Sequence, residues 1–485
     1  MDVVRMTEGP SWSVTLKFGA PLVVGMLFHT AFNLVDMFMI SRLDGATTAL
    51  AAVGTCDMIA ALPTVLSNGV AGATVARISQ AQGGGDRRGV RRATWQSLLV
   101  VLCLSLAFGS IGLLGSPFLI ESIMQTKGDT AAVAASYLRI SLGGCYAVFM
   151  MLQLTAILRA MGHAKAAAAL LISGNVLNIF LNVVLIYGPG PAPAGLVWGT
   201  EIASFFGIPR LGVHGAAWAT LIARTIPLIF GSIWLLQLRD GPRFHRVYLR
   251  PIAEELRALF RIAWPASGQM VLRILAVLLV IALINNNYTT ATDPSVLTAF
   301  SVCLRLETMA LFVGMGWGAA ASTLVGTNLG AGKPERAQKA GWLSVAYNAV
   351  CMLLFTWIFW YYAEPILGFF DDTPAVIQTG TGYLRRTATT YAFMGTGLVL
   401  SQAMTGAGAT LASMILDGVV VVILVVPAAY LVAEVFSLPC EGLWWVLAGG
   451  NVVGALAYMS YFGHGGFLRR NLQPHDRKGT KSRGC

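Results

Sequence analysis

Apolar residues run along this chain in blocks of about 20 or more, each closed by a short polar stretch. The blocks fall near 14–40, 46–79, 93–120, 131–158, 165–188, 214–238, 257–286, 295–327, 338–364, 375–404, 410–434 and 442–467. A helix of roughly 20 apolar residues crosses a bilayer. The pattern therefore predicts an all-α membrane protein with twelve transmembrane helices. The first block is too long for a signal-peptide core and has no small-residue cleavage site after it, so it is expected to stay as the first helix.

The blocks form two sets of six that repeat about 245 residues apart. Tyr137-Leu138-Arg139 returns as Tyr383-Leu384-Arg385, and Arg159-Ala160-Met161-Gly162 as Thr405-Gly406-Ala407-Gly408. Gln80 to Gly89 aligns without a gap on Asn328 to Ala337, and Lys17 to Pro21 answers Arg261 to Pro265. Six helices per repeat give both halves the same orientation, related by an axis along the membrane normal. The expected organisation is a six-helix lobe over 1–238, a cytoplasmic linker over 239–256, a second six-helix lobe over 257–468 and a basic tail over 469–485. A duplicated bundle of this kind can rock about a central cavity to alternate access.

Composition sharpens this. Hydrophobic residues make up 56% of the chain and charged ones 11%, against roughly a quarter charged in a soluble domain; no separate soluble domain is expected. The net charge of +11 does not point to nucleic acid, because the basic residues sit in short loops. One side carries Arg87, Arg88, Arg91 and Arg92, then Arg159 and Lys165, then Arg239 to Arg250, then Lys333, Arg336 and Lys339, and the tail. The other carries Glu121, Glu201, Asp293, Glu364, Asp371, Asp372, Glu434 and Glu441. By the positive-inside rule both termini are cytoplasmic, and a bacterial inner membrane is the expected location. Five of the seven cysteines lie within apolar runs and no CxxC or His-rich spacing occurs, so neither a disulfide, a metal site nor a cofactor is expected. Between helices five and six, Gly188-Pro189-Gly190-Pro191-Ala192-Pro193 precedes a run with Trp198, Ile202 and Phe205 on one helical face. That spacing predicts a small helix lying in the membrane interface.

Ionisable groups inside spans are costly and mark pathways or proton relays. In the first helix His29, Asn33 and Asp36 share a face, and in the fifth so do Asn175, Asn178 and Asn182. A carboxylate facing amides in a low-dielectric interior is expensive to ionise, which suits a group that loads and releases a proton near neutral pH. The plainer role, hydrogen bonding between helices, stands beside it. Asp57, at the start of the second helix, is a competing acid placed near the headgroups. Arg224, one turn after Thr220, is a candidate ion-pair partner for an N-half carboxylate. Arg273, Arg305, Glu307, Arg386 and Asp417 form a prospective charge network in the second half. Pro21 and Pro265 occupy matching points where each removes a backbone hydrogen bond and permits a bend; Pro21 is the candidate hinge.

Asn33-Leu34-Val35-Asp36 leading through Ala51-Ala52-Val53-Gly54, and Leu324 to Gly332 followed by Pro334-Glu335-Arg336-Ala337, resemble the multidrug and toxic compound extrusion (MATE) family over nearly the whole chain. The resemblance implies a two-lobed antiporter, not an enzyme, that exports amphipathic, often cationic organic molecules against H⁺ or Na⁺. Asp36 matches the family's N-lobe coupling aspartate, Pro21 its first-helix proline, and Thr220 a polar residue of the same cavity. Asn178 and Asn182 fall on its helix-five pair, with Asn182 where some members have aspartate; Tyr137 matches an N-lobe tyrosine by spacing. Two departures bear on the ion. Members with a C-lobe cation site carry a glutamate eight residues after the helix-seven proline, where this chain has Arg273. Their helix-ten acid has no counterpart in Gly395-Thr396-Gly397. Protons are therefore the expected coupling ion, with Na⁺ the alternative.

Two other readings stand beside the efflux antiporter. A lipid or lipid-linked oligosaccharide flippase of the same superfamily would need cationic residues such as Arg273 and Arg224. An integral-membrane transferase would need a paired-aspartate motif or a nucleophile–histidine set, which the spans lack. The expected partners are small amphipathic substrates and membrane lipids, with the protein a monomer.

Overall fold

A computed structural model of the protein describes residues 3–43, 46–238, 241–242, 248, 250–290 and 293–470; the side chains of residues 33, 34, 46, 47, 194, 469 and 470 lie outside that description. Residues 471–485 of the predicted basic tail (469–485), and most of those predicted as the linker, also lie outside it.

Among the described residues, twelve long helical units appear in the predicted places. The first six are α1 (Ser11–Ser41), α2 (Ala46–Gly83), α3 (Arg87–Phe118, extended by a π turn Leu119–Ile123), α4 (Gly128–Gly143 then Cys145–Ala160), α5 (Ala164–Tyr187) and α6 (Val213–Gln237). The second six are α7 (Ala253–Asn287), α8 (Ser295–Gly330), α9 (Pro334–Gly368), α10 (Pro374–Ala388 then Tyr391–Gly406), α11 (Thr410–Gly418, continuing with π turns to Val435) and α12 (Cys440–His464). Eleven are long and apolar enough to cross a membrane. The tenth carries Arg385 and Arg386 and is interrupted at Thr389 and Thr390, just where its repeat partner α4 is interrupted at Gly144.

The repeated sequence signals are turns. At Gly85, Gly162, Gly332 and Gly408 the backbone adopts positive φ of 71°, 90°, 73° and 79°. The next amide in each case reaches back five residues: Asp86 to Ala81 O, His163 to Leu158 O, Lys333 to Asn328 O and Ala409 to Met404 O, all 2.8–2.9 Å. This is the glycine-terminated helix end that only a residue without Cβ adopts freely. It stops α2, α4, α8 and α10 at one end of the molecule, which is also the end with the basic loops. At the other, acidic end, the hydroxyls of Thr373 and Ser295, together with their backbone N–H groups, which donate to Asp371 and Asp293, hold these exposed carboxyls below the usual range.

The six-helix bundles are related by a pseudo-twofold axis. Helix α1 packs on α8 of the other lobe and α7 on α2, while α1 packs on α5 and α7 on α11 within their own lobes. The seam is closed at the basic end. There a Cβ added to Gly83 would stand 1.9 Å from Thr327 O, and one on Gly330 1.9 Å from Gln80 O, the close backbone approach that small residues allow in membranes. Arg77 pairs with Glu255 through two bonds of 2.9 Å. Lys333 donates to Thr7 O (3.1 Å) and Gln80 to Gly406 O (3.0 Å); Arg336 also donates to Gly9 O. Deeper in, Ser267 donates to Val65 O (3.3 Å), and among the described residues no interlobe hydrogen bond lies nearer the acidic end. The connection between lobes is held to α3, where Gln96 donates to the carbonyls of Tyr248 and Arg250 and accepts from Ile252 N.

Helices α1 and α7 continue through Pro21 and Pro265 as single helices, and a non-helical residue falls at Tyr362 in α9 (φ −115°, ψ 18°). One expectation changes: Asp57 lies about three turns inside α2, not at its start. The outer helix forms (Val197–Phe206) and packs on α5 through Gly199 and Ala203, with Trp198 stacked on Phe180 at 5.4 Å and Phe205 left 84% exposed.

Candidate functional site

The four residues expected to couple the ion meet in one hydrogen-bonded chain. Asn182 Nδ2 donates to Asp36 Oδ1 (2.6 Å) and to Asn178 Oδ1 (2.7 Å); Asn178 Nδ2 donates to Thr220 Oγ1 (3.0 Å). Three helices thus converge: α1 supplies the acid, α5 the two amides one turn apart, and α6 the hydroxyl. Asn178 and Asn182 are completely buried, where an amide without partners is costly. Asp36 stands five residues before the acidic end of α1, about 7 Å in by helical rise. The site therefore sits in that half of the lobe, not at the midplane.

Around it the other N-lobe candidates sort themselves. Tyr137 is buried within electrostatic reach of Asp36 and Asp57. Asn33's side chain lies outside the described residues. Arg224 does not pair with Asp36. Its guanidinium lies over the Phe32 ring (5.7 Å), with His29 in reach, and no carboxylate lies within 4.0 Å among the described residues. His29 packs edge-on against Phe312 of the other lobe (5.2 Å). Its Nδ1 and both polar atoms of Asn175 are buried without hydrogen-bond partners among the described residues.

The prospective C-lobe network divides in two. Arg273 Nε pairs with Asp417 at 2.5 Å. Tyr458 Oη donates to the other Asp417 oxygen (2.7 Å), and Gln269 Nε2 lies 2.8–3.1 Å from Ser401, Ser413, Asp417 and Tyr458. Glu307 instead accepts from Tyr383 (2.9 Å), whose ring packs edge-on against Phe300 and Trp444. Arg305 is exposed, and Arg386 donates to its own helix at Gly382 O. Gln269, Ser413 and Tyr458 were not singled out from the sequence. The one available signal was Gln269 and Arg273 at i and i+4 on a single face of α7.

Between the lobes lies a cavity of about 360 Å³, bounded by α1, α2, α4, α7, α8 and α10. Met26, Met270 and Met315 are among its apolar lining residues, and Asn68 and Gln402 among its polar groups. Its charged lining residues are two arginines, Arg159 and Arg273. Sequence reading counted Arg159 among the loop cations; the structure turns it inward, with Nε buried and unpartnered.

Two pseudo-symmetric six-helix lobes around a cavity, with polar networks inside the spans, define an integral-membrane transporter. The chain belongs to the MatE family, whose model matches residues 21–184 and 267–431, one stretch in each lobe. It is 26% identical over 420 residues to a probable multidrug resistance protein, YpnP, of Bacillus subtilis, covering 86% of this chain and 87% of that protein. It is 24% identical over 434 residues to an FAD transporter of Shewanella oneidensis, covering 88% and 89%. Its fold matches the outward-facing conformation of a multidrug resistance MATE family transporter, at a TM-score of 0.85 and 22% identity, over 97% of this chain and 99% of that one.

Proposed function

We propose that the protein is a secondary active efflux antiporter that exports amphipathic organic compounds in exchange for protons, with Asp36 as the coupling acid. The observation that carries this is the chain Asp36–Asn182–Asn178–Thr220: an acid inside the membrane, bound to amides and free of any ion pair among the described residues. In the present arrangement every donor in the chain points toward Asp36 or away from Asn182, as suits a carboxylate that only accepts. Protonation makes Asp36 a donor. Asn182 must then present its Oδ1, which is buried and unpartnered, and turning that amide breaks its bond to Asn178. Proton uptake on α1 thus changes the contacts of α5 and α6.

With the basic end on the cytoplasmic side, the closed seam keeps the cavity from the cytoplasm. Asp36 then loads from outside, substrate leaves, and deprotonation inward resets the site. The relatives' names span multidrug resistance and FAD transport, which supports a family site adaptable in cargo. Arg273 in place of the helix-seven glutamate, locked to Asp417, supports protons over a C-lobe Na⁺ site.

The test is substrate flux in proteoliposomes under an imposed pH gradient, with Na⁺ or K⁺ on both sides. Flux is expected to follow the pH gradient equally in either salt. A strict Na⁺ requirement with no response to pH overturns the proton assignment, and an N-lobe Na⁺ site on the oxygens of Asp36, Asn178 and Thr220 then becomes the better description.

A further inference from the structure

The resemblance to the family implies substrates that are often cationic. The cavity of this chain has the opposite electrostatics. Among the described residues its lining holds two guanidinium groups and not one carboxylate, and burial in a low-dielectric wall magnifies the field of each. The two arginines differ. Arg273 is neutralised on one side: Nε meets Asp417, which is itself 7% exposed and stands behind the wall, while the rest of the Arg273 side chain remains 38% exposed. Arg159 has no such partner. Neither a carboxylate nor a hydrogen-bond acceptor meets it among the described residues, and its Nε is buried. An unpaired charge facing a cavity is expensive to maintain unless a counter-charge arrives there, and guanidinium is the side chain best shaped to take an oxyanion through paired N–H donors.

We propose that the cavity between the lobes binds a small amphipathic organic anion, with Arg159 as the principal contact to its carboxylate, sulfonate or phosphate and Met26, Met270 and Met315 against its apolar body. The volume of about 360 Å³ stands near the lower end of ligand pockets, roughly 300–1,000 Å³, so the ligand is a compact one. Methionine walls fit apolar groups of varied shape, which leaves the charge as the main selective element. Arg273 adds a second, weaker positive field nearer the acidic end of the cavity. The inference rests on the efflux reading for the direction of transport alone; the charge preference is a property of the cavity at equilibrium.

The test uses purified full-length protein and two probes that share a fluorophore and differ in charge, dansylglycine and dansylcadaverine, titrated by fluorescence anisotropy. Dansylglycine is expected to bind more tightly. Arg159→Gln is expected to weaken it about tenfold, the loss of one charge-assisted contact, with dansylcadaverine unchanged or improved. Gln402→Glu, which sets a carboxylate in the same wall without touching Arg159, is expected to reverse the order of the two probes, and it stands as the second variant should Arg159→Gln fail to fold. Tighter binding of the cation by the parent protein overturns the proposal, as does dansylglycine affinity indifferent to both substitutions. A short-chain phosphatidylglycerol that binds in an Arg159-dependent way, with no binding of dansylglycine, assigns the cavity to a lipid headgroup and also overturns it. Binding is read without a gradient, so absent pH-driven flux with intact anion preference fails the antiport reading and leaves this one standing.

Discussion

At the scale of single residues, Asp36 is the test of the coupling scheme. Asp36→Asn keeps the shape and the ability to accept from Asn182 but carries no proton. It is expected to reduce pH-driven flux to the background of empty liposomes, while leaving yield, insertion and equilibrium binding of substrate at parental levels. Undiminished flux in the variant would transfer the coupling role to Asp57 or Glu307. This cluster was legible in the sequence because costly polar groups in apolar spans stand out, and helical spacing assigned Asn178 and Asn182 to one face. What spacing could not supply was partner choice across helices. Arg224 was a reasonable partner for Asp36 by depth, yet the side chain lies over Phe32. Arg159 was misread because it is the penultimate residue of its half-helix, where a cation ordinarily points to water.

Among the helices, the decisive contact is the crossing of α2 and α8 near their basic ends. A side chain at Gly83 would collide with the Thr327 carbonyl, a backbone atom with little freedom to yield. Gly83→Val is therefore expected to hold the seam open at that end. Spin labels on exposed Arg88 and Glu335, one in each lobe, should report a wider separation than in the parent, and flux should fall at least tenfold. Overpacking of this sort costs about 1–3 kcal/mol, enough to shift a conformational equilibrium without unfolding the lobe. An unchanged label distance with normal flux would show that the seam yields. The twelve helices were readable from apolar run length, and their ends from the glycine turns. The unbroken run of α1 through Pro21 was not, because proline removes a backbone hydrogen bond and packing decides whether the helix stops there.

On the level of the whole molecule, each lobe lends its first helix to the other: α1 lies on α8 and α7 on α2. At the basic end Gly83 meets Thr327 and Gly330 meets Gln80, so the repeated segment sits against its own counterpart. That is the geometry of an isologous contact, the self-complementary surface two copies of one subunit use to form a closed pair. A six-helix ancestor with this surface would already have been a working homodimer, and joining its genes end to end would have added a covalent link but no new interface. The present chain ought to keep that independence. The link is already pinned to α3 through Gln96 up to Ile252, so a cut before residue 248 frees no length that the C-lobe uses. Two fragments divided between residues 239 and 247 and co-expressed are expected to co-purify through a tag on either one and to restore a substantial share of parental flux. Fragments that are each stable and inserted yet fail to associate would show that the join became indispensable after the duplication.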